Sequence, residues 1–157
     1  MNIREYTLED RDGIEKCIFE LQKTEYSLAP DHLTEPEVAL KSYFVFLSQR
    51  LKEHGGTIFV AENGGKVVGC VSVMIDTETS PCVAVKKFAY IPDLAVLEEF
   101  RNQGIGKMLI ERAEQFGRDN GLDFIFLDVM AKNPAVDFYH KIGFIDQGLR
   151  MEKKLNE

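Results

Sequence analysis

Arg101-Asn102-Gln103-Gly104-Ile105-Gly106 stands between two stretches of contrasting pattern, and its reading decides the fold. Before it, residues 83–96 are rich in β-branched and aromatic side chains and end on Leu94-Ala95-Val96, with Leu97-Glu98-Glu99-Phe100 as the link. After it, Ile105, Met108, Leu109, Ala113 and Phe116 recur on one face of a helix predicted from Gln103 to Asn120, with Asn120-Gly121 as its stop. A strand, a glycine turn and a helix follow one another. The first turn of a helix leaves backbone N–H groups unpaired, and glycines let an anion approach them closely. The plainer alternative is a tight turn whose glycines are structural. Two familiar phosphate motifs fail here: G-x-G-x-x-G breaks after Gly106, and Gly106-Lys107 is followed by Met108 rather than Ser or Thr.

Working outward, Ile3 to Tyr6 reads as a strand, and Thr7-Leu8-Glu9-Asp10 as a capping-box-like start to a helix carrying Ile14, Ile18 and Leu21. Thr24 to Leu33 shows no periodicity. Thr34-Glu35-Pro36-Glu37 begins a second helix running to about His54, with Thr34 as its cap. Thr57 to Ala61 and Lys66 to Ile75 form a hairpin across Asn63-Gly64-Gly65, and Val83 to Val96 is a further strand. Pro92 lies inside that strand and cannot donate a ladder hydrogen bond, which suits a bulge. Phe124 to Val129 is a nearly continuous apolar run, expected to be covered on both faces. A short helix from Pro134 to Lys141 and two last β segments, Phe144 to Gln147 and Leu149 to Leu155, complete an α/β layout with a mixed sheet.

The stretch from Arg101 to Gly106 resembles the coenzyme A signature R/Q-x-x-G-x-G/A of the GNAT superfamily of acetyltransferases. Asn133-Pro134-Ala135-Val136-Asp137-Phe138-Tyr139-His140-Lys141-Ile142-Gly143-Phe144 is similar to that family's second signature, although Asn133 lies one residue nearer Tyr139 than the usual spacing. The resemblance covers residues 89–144 and implies a mixed, mostly antiparallel sheet splayed at its middle, with helices on both faces. It also implies acetyl-CoA as cosubstrate. Backbone groups of Leu94, Ala95 and Val96 would then pair with the pantetheine arm. Amides from Asn102 through Gln103, Gly104, Ile105 and Gly106 to Lys107, beside Arg101, would hold the pyrophosphate. Asn133 and Ala135 would make further cofactor contacts, and Tyr139 would hydrogen-bond or protonate the departing sulfur.

The 157 residues, 45% of them hydrophobic, suit one domain spanning the whole chain, residues 1–157. A net charge of -7 repels nucleic acid and favours a cationic partner. Cys17, Cys70 and Cys82 show neither disulfide nor zinc spacing, so no metal is expected and reduced thiols in a cytoplasm are. No apolar run approaches the roughly 18 residues of a membrane span. Transfer of an acetyl group to an amine needs a neutral amine, a stabilised oxyanion and a proton for the thiolate. Asp93, beside the expected reaction centre, is the candidate base or ammonium contact. Glu25, Tyr26 and His32 lie in the aperiodic segment expected to border the acceptor. The resulting expectation is N-acetylation of a small-molecule or peptide amine, with a homodimer common in the resembled family. The alternatives are a catalytically silent acetyl-CoA sensor, an acyltransferase using another acceptor or a longer chain, and an interaction domain whose glycine turn is structural.

Overall fold

The computed structural model describes residues 1–156. Strand β1 (Asn2–Glu5) is followed by a 3₁₀ turn over Leu8–Asp10, helix α1 (Arg11–Leu28) and helix α2 (Pro36–Glu53). The hairpin β2 (Thr57–Asn63) and β3 (Lys66–Thr77) leads to β4 (Lys87–Ile91), β5 (Leu94–Val96), α3 (Ile105–Asp119), β6 (Ile125–Leu127) and α4 (Ala135–Lys141). The sheet order is β1-β2-β3-β4-β6, with β5 also pairing β3, and only the β4–β6 pair is parallel.

Alternation along the central strands sends side chains into two cores. Ile58, Val60, Cys70 and Met74 pack with Ile14 and Ile18 of α1 and Phe44, Leu47 and Leu51 of α2. Phe59, Ala61, Val71 and Val73 pack on the other face with Ile105, Leu109, Ile110 and Ala113 of α3 and with Phe138 of α4. Helices therefore cover both faces, as the resemblance implied.

Several boundaries differ from the sequence reading, each for a physical reason. Thr24 to Leu28 continues α1, because neither a glycine nor a proline intervenes before Pro30. The α2 cap is Glu35 rather than Thr34: Pro36 occupies the first helical position and holds the preceding residue extended, at φ -52 and ψ 135. Within residues 83–96, strand begins only at Lys87 and is divided at Pro92-Asp93 into two strands instead of one. Phe124 to Val129 shortens to β6 and is not covered on both faces, with Phe124 exposed. The two terminal segments form no strands, so β6 is left at the sheet edge. Ile145, Leu149, Met151 and Leu155 are at least 75% exposed and gain no burial there. Side-chain contacts of His140 with Asp146 and of His32 with Glu152 hold this irregular stretch instead.

One partly buried corner is tied by a charged knot. Arg4 on β1 donates Nη1 and Nη2 to Asp10 Oδ2 and Oδ1 at 2.7 and 2.8 Å, and Nε to Glu62 at 2.8 Å. The Thr7 N–H donates to Asp10 Oδ2 at 2.7 Å, fastening the start of α1. The Arg4 guanidinium, with further help from Thr7, holds the Asp10 carboxyl down at about 2 against its usual 3.8. A lowered carboxyl pKa stabilises the fold above its unfolded value and ceases to do so as pH falls through the folded one. Asp10→Asn should cost about 1–2 kcal/mol at pH 7 in urea unfolding. The difference from wild type should shrink as pH is lowered from 4 towards 2.

Candidate active site

The division between β4 and β5 creates the site. Met74 pairs with Tyr90 and Val71 with Leu94, so the intervening Val73 and Ser72 face three residues, Ile91, Pro92 and Asp93. That extra residue is a bulge, and Pro92 supplies the position that needs no N–H. Pairing between β4 and β6 ends at Ile91 and Leu127, and β5 continues along β3 alone. A gap therefore opens on the side of β5 that faces away from β3.

Hydrogen bonds decide which residues face this gap. The Ser72 N–H donates to Asp93 O at 3.0 Å, and the Leu97 N–H to Val68 O at 2.9 Å. Bonded residues alternate along an antiparallel ladder, so Ala95 directs its N–H and C=O at Cys70. Leu94 and Val96 direct theirs into the gap. Of the three residues expected to meet a pantetheine arm, only these two present backbone groups to it. The Val96 carbonyl already accepts Arg101 Nε at 2.9 Å.

Gly104 caps α3 at φ 80, and a Cβ there would meet nothing within 4 Å. Asn102 also adopts a positive φ of 60. Among the described residues, no N–H from Asn102 to Lys107 has a hydrogen-bond acceptor. Unpaired amides at the positive end of α3 are donors of the kind an anion takes, and they form a candidate cradle. Gly106 serves another purpose: a Cβ would stand 3.2 Å from the Phe138 ring, so its small size lets α4 pack on α3. Arg101 bends away from the cradle towards Val96 and Glu20, Gln103 donates to Glu99 O at 3.2 Å, and Lys107 pairs loosely with Glu111. The signature thus offers its backbone rather than its side chains.

Tyr139 on α4 packs its ring against Phe138 and Phe144, while its hydroxyl has no protein partner among the described residues. Burial, followed by the negative charges of Glu25 and Asp93, pushes its pKa up to about 12, so it remains a proton donor at neutral pH. Glu25 is half-buried on α1, and desolvation together with Asp93 raises its pKa. Tyr26, the next residue, leaves the helix about 100° away. His32 is exposed and lies against Glu152. Asn133 Oδ1 accepts the Ala135 N–H at 2.9 Å, so this pair starts α4 and the Ala135 amide is already bonded.

Asp93, expected to face the acceptor, is instead 7% exposed and turned inward. Tyr43 Oη donates to its Oδ1 and Oδ2 at 2.9 and 3.0 Å, Ser72 Oγ donates to Oδ2 at 3.0 Å, and the Asp93 N–H donates to Ser72 Oγ at 3.0 Å. Burial raises its pKa, and the two hydroxyls and Arg50 pull it partly back. A groove of about 950 Å³ opens beside Tyr139, with Arg50, Tyr90 and Asp128 in its lining. Tyr90 Oη donates to Asp128 at 2.9 Å across the parallel strands.

The Acetyltransferase (GNAT) family model matches residues 16–144. This chain belongs to the GNAT acetyltransferase family. Over 96 residues it is 36% identical to a Chlorobaculum tepidum protein named as an uncharacterized N-acetyltransferase, covering 61% of this chain and 54% of that one. It is 30% identical over 106 residues to an N-alpha-acetyltransferase of Sulfurisphaera tokodaii, covering 64% of each. The chain thus spans between half and two thirds of the length of these relatives. A crystal structure of a mutant of the BH1408 protein from Bacillus halodurans superposes with a TM-score of 0.86 at 28% identity, covering 99% of this chain and 100% of that one.

Within this GNAT chain, Tyr43, Ser72 and Glu20 escaped the sequence reading. Tyr43 looks like one more apolar position in α2, Ser72 like an incidental polar residue in β3, and Glu20 like a surface acid on α1. Only the bulge and the turn after β5 give them partners. Tyr43→Phe should destabilise by about 1–3 kcal/mol, because it strips a donor from a buried carboxylate. A carboxyl whose folded pKa is raised favours the fold below its unfolded value, and that contribution disappears as pH rises through the folded value. Losing Tyr43 raises the Asp93 value further. Urea unfolding should therefore show a larger deficit at pH 8 than at pH 5.

Proposed function

We propose that the protein transfers the acetyl group of acetyl-CoA to a primary amine on a cationic acceptor. The observation that carries this reading is the unpaired amide cradle from Asn102 to Lys107, which follows in sequence the strand whose Leu94 and Val96 turn their backbone groups into the gap. The cradle fits a pyrophosphate because its donors are free and Gly104 leaves its approach open. The Leu94 C=O and the Val96 N–H fit the amides of a pantetheine arm, as an added strand would.

When bound, acetyl-CoA supplies an activated thioester carbonyl beside β5. The Leu94 N–H, next to the bulge, is left as a fixed donor for the negative charge that develops on its oxygen. Tyr139 Oη keeps its proton at neutral pH and is free to give it to the departing sulfur. An acceptor amine arrives as an ammonium and must lose a proton before it attacks. Burial raises both carboxyls, and Glu25 takes that role better than Asp93 because it is only half-buried and its carboxylate carries no hydrogen bond to a protein donor. Asp93 acts through position and field: it fixes the bulge and supplies buried negative charge near Glu25 and Tyr139. Asp76, Glu78, Asp123 and Asp128 outnumber Arg50 along the groove, which supports a cationic acceptor. Three free thiols support a reducing, cytoplasmic setting.

CoA should raise the melting temperature in a concentration-dependent way, and Gly104→Glu should abolish the shift by placing a like charge beside the pyrophosphate. An unchanged midpoint at millimolar CoA, with no calorimetric binding, would overturn the assignment. Mass-detected acetylation across a panel of polyamines, aminoglycosides, amino acids and peptides then identifies the acceptor. With that acceptor, Tyr139→Phe should slow single-turnover transfer on the order of tens to a thousandfold while CoA affinity holds. Glu25→Gln should remove the acidic limb of the kcat/KM profile, which in wild type lies above the ordinary glutamate value of 4.5 because Glu25 is raised.

A further inference from the structure

Helix α1 makes a contact with the glycine turn that the reaction scheme leaves unused. Glu20 Oε2 accepts the Glu98 N–H at 2.9 Å and stands 3.6 Å from Arg101 Nη2. Arg101 Nε in turn donates to the Val96 carbonyl at 2.9 Å. The short 3₁₀ turn over Glu98–Phe100 is thereby held at its first amide and by the side chain just beyond its last residue. Both holds converge on one carboxylate from a helix remote in sequence.

The placement needs a reason, since a carboxylate near a loop that must receive an anion opposes binding. Arg101 offsets that charge, and does so by folding back onto Glu20 and Val96 instead of reaching over the cradle. Glu20 is 20% exposed and beside a pocket of about 310 Å³ that Lys23, Thr24 and Ser27 also line, so it fills no core space. Its side-chain hydrogen bond and its ion pair both go to the turn.

We propose that Glu20 is a positioning residue which, through Glu98 and Arg101, sets the path from β5 to α3 and so aims the amides of Asn102 to Lys107. The inference rests on reading those amides as the pyrophosphate site. It predicts an effect confined to ligands that carry the pyrophosphate. Pantetheine occupies the gap along β5 and never reaches the cradle.

Calorimetric titration of CoA and of pantetheine into wild type, Glu20→Ala and Glu20→Gln tests it, with melting curves to verify folding. Glu20→Ala should weaken CoA on the order of five- to thirtyfold, as expected for a charge-assisted hydrogen bond discounted for partial exposure. Pantetheine affinity should not change. Glu20→Gln should recover most of the loss, because its amide oxygen still accepts the Glu98 N–H. Unchanged CoA affinity in Glu20→Ala, equal loss for both ligands, or no recovery with Gln would each overturn the proposal. A wild type that fails to bind CoA would instead overturn the reading of the cradle, and this inference with it.

Discussion

The structure depends on the extra residue at Pro92-Asp93. It ends the run that pairs with both β3 and β6 and begins one that pairs with β3 alone. Without it, β4 and β5 would continue as one central strand, and the backbone groups of Leu94 and Val96 would be consumed by a neighbour. Proline makes the interruption inexpensive, since its missing N–H would otherwise be an unsatisfied donor. Asp93 makes it permanent. A buried carboxylate without partners would be strongly unfavourable, so this conformation persists only where Tyr43 and Ser72 supply hydroxyls.

This arrangement links parts of the chain that the sequence keeps far apart. Tyr43 arrives from α2, Ser72 from the middle of β3, and Asp93 from the bulge, so the gap is referenced to both the helical layer and the central strand. Helix α1 packs against β5 and carries Glu25 near Asp93 and Glu20 against Glu98. Five residues along a helix span about 7.5 Å and turn well past a right angle. One helix can therefore place one carboxylate near Asp93 and another against the turn after β5. Such a frame explains how the N-terminal half, which carries neither signature, still shapes the site.

What was legible in the sequence was whatever has a local cause. The helix after Gly104 announced itself by periodicity, the hairpin by Asn63-Gly64-Gly65, and the interruption by Pro92. The amide cradle was legible too, because it requires only glycine and a helix start. Ala95 could not be separated from Leu94 and Val96, since the direction of a backbone amide depends on register with β3, and register is a tertiary fact. Asp93 was misplaced for the same reason: a carboxylate beside a reaction centre reads as a base until Tyr43 and Ser72 are seen to occupy it. The terminal segments erred in the opposite sense. Alternation of Leu149 and Met151 is a β pattern, yet a strand needs a partner edge, and β-propensity measures fit to a neighbour more than a backbone preference.

Placing the proposed acid and the proposed base on different layers has an electrostatic consequence. Tyr139 comes from α4 on one face of the sheet and Glu25 from α1 on the other, and the splayed gap is where the two faces communicate. Burial raises both pKa values, and the charge of each carboxylate raises the tyrosine further. A stronger base and a retained phenolic proton are thus produced by one environment. Ionised Asp93 adds negative potential to both; its hydroxyl partners and Arg50 favour that form, while its depth opposes it. Neutralising it would leave Glu25 a weaker base and Tyr139 a stronger acid. The buried residue that shapes the strand therefore also sets the proton balance of the groups flanking the gap.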